Sequence, residues 1–144
     1  MLGSFKKAIF RALCLGCALI GGGLMAEPNP EELVLLGIKS YEKQDFSKAR
    51  KYFERACGLN NGGGCGALGA LYNDGEGVEK NLIKAAYLYS KACDLKDGRG
   101  CDALGGLYYN GDGVKQDSKK AVALFEKACK LGYKKACEML KLLR

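Results

Sequence analysis

Six cysteines fall in three pairs, Cys57/Cys65, Cys93/Cys101 and Cys129/Cys137, each pair eight residues apart and each recurring 36 residues after the last. A fixed period between roughly 20 and 50 residues is the mark of stacked repeats. An even cysteine count at regular spacing in a small exported chain reads as a disulfide framework. Residues eight apart on one helix lie roughly 12 Å apart along its axis, too far to bridge. The chain must therefore turn between the members of each pair, at residues 60–64, at Asp97-Gly98 and at Gly132. Each bridge then ties the end of one repeat's second helix to the start of the next repeat's first, contributing about 2–3 kcal/mol in the chain-entropy treatment. The competing reading is free buried cysteines in a cytosolic solenoid. A zinc reading fails, because the chain has no histidine and its one C-x-x-C lies in the leader.

Residues 65–100 and 101–136 align without gaps and share 16 of 36 positions. Their frame is C-x-A-L-G-x-L-Y-x-x-G-x-G-V, five variable positions, then K-A-x-x-L-x-x-K-A-C-x-L. Ala67, Leu68, Leu71 and Tyr72 recur as one helical stripe; Leu82, Ala85, Ala86, Tyr89 and Cys93 make a second. Gly75 and Gly77 stop the first helix, and Asn81 (Asp117 in the next copy) offers a cap for the second. Gly69 and Gly105 lie inside the first helix, where glycine costs about 1 kcal/mol against alanine. Close helix-on-helix approach accounts for them, and the small Ala85 and Ala92 serve the same need.

Upstream, Leu36-Gly37, Tyr41, Ala49 and Ala56-Cys57 form a shorter copy that lacks the G-x-G-V loop and turns at Asp45-Phe46. Asn29-Pro30-Glu31-Glu32 is a helix start: cap residue, proline at N1, acids in the first turn. Downstream, residues 137–144 make a last helix, with Met139, Leu140 and Leu143 expected to cover the open face. The divisions are thus a signal peptide at 1–26, a shortened first repeat at 27–64, full repeats at 65–100 and 101–136, and a capping helix at 137–144. The fold expected is all-α: an α-solenoid of about seven helices in antiparallel pairs, cross-linked by disulfides.

The leader rests on residue order. Lys6, Lys7 and Arg11 precede an apolar run over residues 12–24, and Met25-Ala26 ends it. That is a secretory signal, too short for a lasting membrane span; an uncleaved anchor is the alternative. Cleavage removes Cys14 and Cys17 and lowers the net charge from +7 to +4 over 118 residues. The charge is too weak and interspersed for nucleic acid. The expectation is a secreted or periplasmic protein with no membrane span after cleavage and no cofactor or metal; a monomer is expected, although nothing in the sequence fixes the oligomeric state.

The frame L-G-x-L-Y-x-x-G-x-G-V…K-A…K-A-C resembles the Sel1-like repeat, a relative of the tetratricopeptide repeat. With the C-x7-C pairing at each junction it is similar to the Helicobacter cysteine-rich protein family. The resemblance implies a secreted, penicillin-binding protein that slowly hydrolyses β-lactams. The residues supply little chemistry for that. Without histidine, a Ser-His or Cys-His pair cannot form. The S-x-x-K, S-D-N, K-T-G set is absent as a set. Ser40-Tyr41-Glu42-Lys43 matches S-x-x-K by itself, a common spacing on a helix end, so Ser40 and Lys43 are weak catalytic candidates. Gly75-Glu76-Gly77 and Gly111-Asp112-Gly113 follow a helix rather than a strand and read as loop geometry, not phosphate cradles.

A binding surface remains. In tetratricopeptide-like superhelices the first helix of each pair lines the concave side. By that analogy Val34, Ile38, Tyr41 and Glu42 point inward, as do Gly66, Ala70, Asn73 and Asp74, and Asp102, Gly106, Tyr109 and Asn110. Asn73 and Asn110 could clamp a peptide backbone, Tyr41 and Tyr109 could stack, and Asp74 and Asp102 add charge. The partner expected is a peptide, cell-wall fragment or protein in the groove, with or without lactam hydrolysis. The bland alternative is an ordinary solvated helix face.

Overall fold

The computed structural model describes residues 28–143, all helix and connecting turn. Seven helices follow in order: α1 (Pro30–Glu42), α2 (Phe46–Gly58), α3 (Gly62–Asp74), α4 (Leu82–Asp94), α5 (Gly98–Asn110), α6 (Ser118–Lys130) and α7 (Lys134–Leu143). The leader, with Cys14 and Cys17, lies outside the described residues.

Each of α1–α6 starts on an Asn or Asp whose side-chain oxygen accepts a backbone N–H of the first turn: Asn29, Asp45, Asn61, Asn81, Asp97 and Asp117. Such caps stabilise a helix by about 1 kcal/mol each, so the boundaries are locally encoded. The ends fall in two classes. α3 and α5 stop at left-handed Gly75 (φ 69°) and Gly111 (φ 73°). Four other turns place Gln44 (φ 62°), Asn60 (φ 61°), Lys96 (φ 65°) and Gly132 (φ 92°) in the left-handed region. The next N–H then returns to the last helical turn, as from Asp97 to the Ala92 carbonyl at 3.0 Å, the Schellman arrangement. The tight element between α4 and α5 is therefore Lys96, one residue before the Asp97-Gly98 turn expected from sequence.

The pairs α1/α2, α3/α4 and α5/α6 pack antiparallel, and α7 closes against α6. First helices also touch across repeats, α1 to α3 and α3 to α5, which makes them the inner layer. The in-helix glycines allow the packing. A Cβ at Gly37 would meet the Phe53 ring at 2.4 Å, one at Gly69 the Tyr89 ring at 2.8 Å, and one at Gly105 the Phe125 ring at 2.8 Å. Gly64 and Gly100 are equally tight against the Cβ atoms of Ala56 and Ala92, at 2.6 and 2.5 Å. The apolar core runs through both full repeats on Leu68, Leu71, Leu88, Leu104 and Leu107.

Two fastenings join consecutive repeats at opposite ends. At one, Cys57–Cys65, Cys93–Cys101 and Cys129–Cys137 bridge α2 to α3, α4 to α5 and α6 to α7, with Cα separations of 4.5, 4.5 and 4.8 Å. At the other, the second glycine of each G-x-G loop lies on the start of the preceding second helix. A Cβ on Gly77 would come 2.6 Å from Phe46 backbone, and one on Gly113 2.5 Å from Leu82 backbone. α7 begins at Lys134, three residues before Cys137. Leu140 is buried and Leu143 packs on the last cluster, but Met139 faces solvent instead of covering the open end.

Candidate functional site

The inner layer forms a cleft of about 360 Å³. Val34 and Ile38 of α1 make its apolar wall. Gly66, Ala67 and Ala70 of α3 and Ala103 of α5 make a floor with little side chain between backbone and ligand space. Asp97, Arg99 and Asp102 supply the polar end, and Tyr133 borders it from the α6–α7 turn. Partial burial pushes the Asp102 carboxyl above its ordinary range, while nearby Lys135 pulls it back down. Asp97 spends one oxygen capping α5, accepting from Arg99 N–H at 2.9 Å.

One lining residue comes from the outer layer. Tyr89 of α4 passes against Gly69 of α3 and contributes to the cleft lining, though it is only 7% exposed. Its residue type in the repeat stripe read simply as core. Alignment at the 36-residue period would have flagged it: the equivalent positions are Phe53 and Phe125, so only the middle repeat carries a hydroxyl there.

The other expected groove residues lie further along their helices. Tyr41 donates to Glu76 Oε1 at 3.1 Å and sets its ring edge-on to Phe46 at 5.1 Å. That hydrogen bond, with burial and the charges of Glu76 and Asp74, raises its hydroxyl above the ordinary value. Tyr41 thus fastens α1 to the loop of the next repeat. Asn73 Nδ2 donates to Asp74 Oδ1 at 2.8 Å, so these neighbours engage each other. Tyr109 and Asn110 sit exposed at the end of α5, where the Tyr109 carbonyl accepts from Gln116 Nε2 at 2.9 Å. Asp102 alone of the six polar and aromatic candidates borders the cleft.

Ser40 is buried, and its hydroxyl donates to the Leu36 carbonyl one turn back at 2.9 Å. Lys43 is the exposed residue that closes α1. A serine committed to a carbonyl of its own helix has no base there to take its proton. Among the described residues no group of three or more potential ligands could hold a metal ion.

Charge is sorted by layer. The second helices α2, α4 and α6 carry ten basic side chains against three acidic; the first helices α1, α3 and α5 carry two against five. A second, wider hollow over α2 is walled by Lys48, Lys51 and Tyr52 and is part of that cationic outer face. The cleft side is the acidic one.

Comparison with known proteins follows the same architecture. The Sel1 repeat model matches residues 34–61, 64–97 and 99–133. HcpC of Helicobacter pylori strain J99 is 62% identical over 84 residues, covering 58% of this chain and 29% of HcpC. Beta-lactamase HcpA of the same strain is 59% identical over 85 residues, covering 59% of this chain and 34% of HcpA. The chain thus spans about a third of the length of these curated relatives. Among solved structures, Helicobacter pylori cysteine rich protein B superposes with a TM-score of 0.63 at 38% identity, over 77% of this chain and 94% of that one.

Proposed function

From a chain that belongs to the Sel1 repeat family, with relatives among the Helicobacter cysteine-rich proteins, we propose a disulfide-stapled binding module whose inner groove takes an extended, peptide-like ligand. The observation that carries this reading is the floor of Gly66, Ala67, Ala70 and Ala103 beside the apolar Val34–Ile38 wall and the Asp102 carboxylate. A floor of small residues lets a ligand backbone come close, and few convergent polar groups orient it. Sel1 solenoids are interaction scaffolds, which supports the same use of the concave side. Three disulfides belong with an oxidising compartment. With the leader read as a signal, the protein works as a monomer, secreted or periplasmic. No helix among the described residues is long and apolar enough to cross a membrane.

The ligand classes are a peptide, a cell-wall fragment, or a β-lactam accepted as a peptide mimic. A second reading, slow lactam hydrolysis, is favoured by the relative beta-lactamase HcpA. The back-bonded Ser40 hydroxyl weighs against Ser40 as its nucleophile. The oxidised mature chain, incubated with labelled penicillin and with a chromogenic cephalosporin, should bind the first reversibly and not turn over the second. Turnover abolished in Ser40→Ala would instead establish the enzyme reading with that nucleophile. Failure to bind penicillin or any peptide would remove the groove proposal.

A further inference from the structure

The hydroxyl of Tyr89 has no use inside the fold. Its ring is held by packing against Gly69, a Cβ there standing 2.8 Å from two ring carbons, and the side chain is over nine-tenths buried. Yet among the described residues no hydrogen bond reaches the hydroxyl. The ring is buried, but the hydroxyl is not among the buried polar atoms left without a partner, so it meets the water of the cleft. The packing does not demand the oxygen, because Phe53 and Phe125 fill the same position against Gly37 and Gly105. Only the hydroxyl-bearing member of the three borders the cleft. A donor that no protein group uses, facing the cleft beside a floor of small residues, is complementary to a ligand acceptor.

We propose that Tyr89 is the groove-floor hydrogen-bond donor, giving its phenolic proton to an amide carbonyl of the bound ligand. The inference rests on the groove reading above and names the group that recognises the ligand. Burial keeps the phenol protonated far above neutral pH, so it serves as a donor. Its acceptor is neutral, since the acidic inner layer disfavours a carboxylate. A peptide bond and a β-lactam both supply such a carbonyl.

The test compares the oxidised mature chain with Tyr89→Phe. Two probes are titrated separately: a pool of N-acetylated hexapeptide amides, and benzylpenicillin. Tyr89→Phe should fold, as Phe53 and Phe125 already do in place, and should bind its probe about fivefold to tenfold more weakly. A loss confined to the hexapeptides assigns the carbonyl to a peptide; a loss confined to benzylpenicillin assigns it to the lactam. Equal affinity for wild type and variant overturns the role of Tyr89 while leaving the groove reading intact. Absence of binding by the wild type to either probe overturns the groove reading and this inference with it. If the variant does not fold, the ring Cζ resonance of Tyr89 in the wild type decides: a shift on adding a bound probe supports the donor role, and an unmoved resonance overturns it.

Discussion

Lys84 lies over the ring of Tyr72, its Nζ 4.6 Å from the ring centroid, and Lys120 repeats the contact over Tyr108 at 4.5 Å. In each full repeat the lysine of the first K-A pair and the tyrosine of L-G-x-L-Y are therefore two ends of one cation–π contact between paired helices. A double-mutant cycle on Lys84→Met and Tyr72→Leu should return a coupling of about 0.5–1 kcal/mol, with Lys84→Arg retaining most of it. Zero coupling would mean the two positions are kept for separate reasons.

The G-x-G loops should tolerate no side chain at their second glycine. Gly113→Ala forces a left-handed alanine (φ 69°) whose Cβ would lie 2.5 Å from Leu82 backbone. We expect a loss of at least about 2 kcal/mol by denaturant melting. Gly106→Ala, with open space around its Cβ, should leave stability unchanged or slightly raised. Equal effects at both sites would refute the fastening role of the loop.

Lys96 occupies with φ 65° the place that Gly132 (φ 92°) fills in the next junction. Lys96→Gly should stabilise the chain by about 0.5–1 kcal/mol by relieving the left-handed backbone. A lower melting temperature for the variant would count against this account.

The three bridges should differ in their resistance to reductant. Cys57–Cys65 and Cys93–Cys101 are buried, whereas Cys129 and Cys137 are partly exposed. Limited dithiol treatment followed by alkylation and peptide mapping should therefore open Cys129–Cys137 first. Full reduction should lower the melting temperature sharply. Simultaneous loss of all three would show that opening follows global unfolding rather than local access.

Two titrations carry opposite lessons for the groove. Burial, helped by the Asp74 charge, pushes the Tyr89 hydroxyl from 10.0 up to about 12. The folded value exceeds the unfolded one, so this contribution is full below pH 10 and is lost as pH rises through about 12. Tyr89→Phe should melt with a shallower alkaline decline than wild type. Asp102 is raised by burial as well, so its ionised form costs stability at neutral pH. Asp102→Asn should raise the melting temperature at pH 7, with the gain fading below about pH 4. A destabilised Asp102→Asn would mean that attraction to Lys135 outweighs burial.

Much of this molecule is written in short-range signals. The 36-residue period, the Asn or Asp before each of α1–α6 and the turn between paired cysteines all act within a few residues, so caps, helix order and bridges follow from the chain itself. In-helix glycines such as Gly69 announced close packing, although not which ring would fill the gap. The cleft was less legible, because tetratricopeptide analogy ranks positions along a helix without saying how deep each lies. Of the positions it ranked, Val34, Ile38, Gly66, Ala70 and Asp102 line the cleft, whereas Tyr41 is bonded to Glu76 of the next repeat's loop and Asn73 to the adjacent Asp74.

Only tertiary structure decided the rest. A repeat specifies each helix pair, but the relative placement of successive pairs arises from contacts between residues far apart in sequence. That stacking carries an outer-layer ring, Tyr89, past Gly69 to the inner cleft. It also turns the less basic first helices toward the cleft and the basic second helices outward. Local chemistry determines what the helices are; long-range packing determines which few atoms they leave for a ligand.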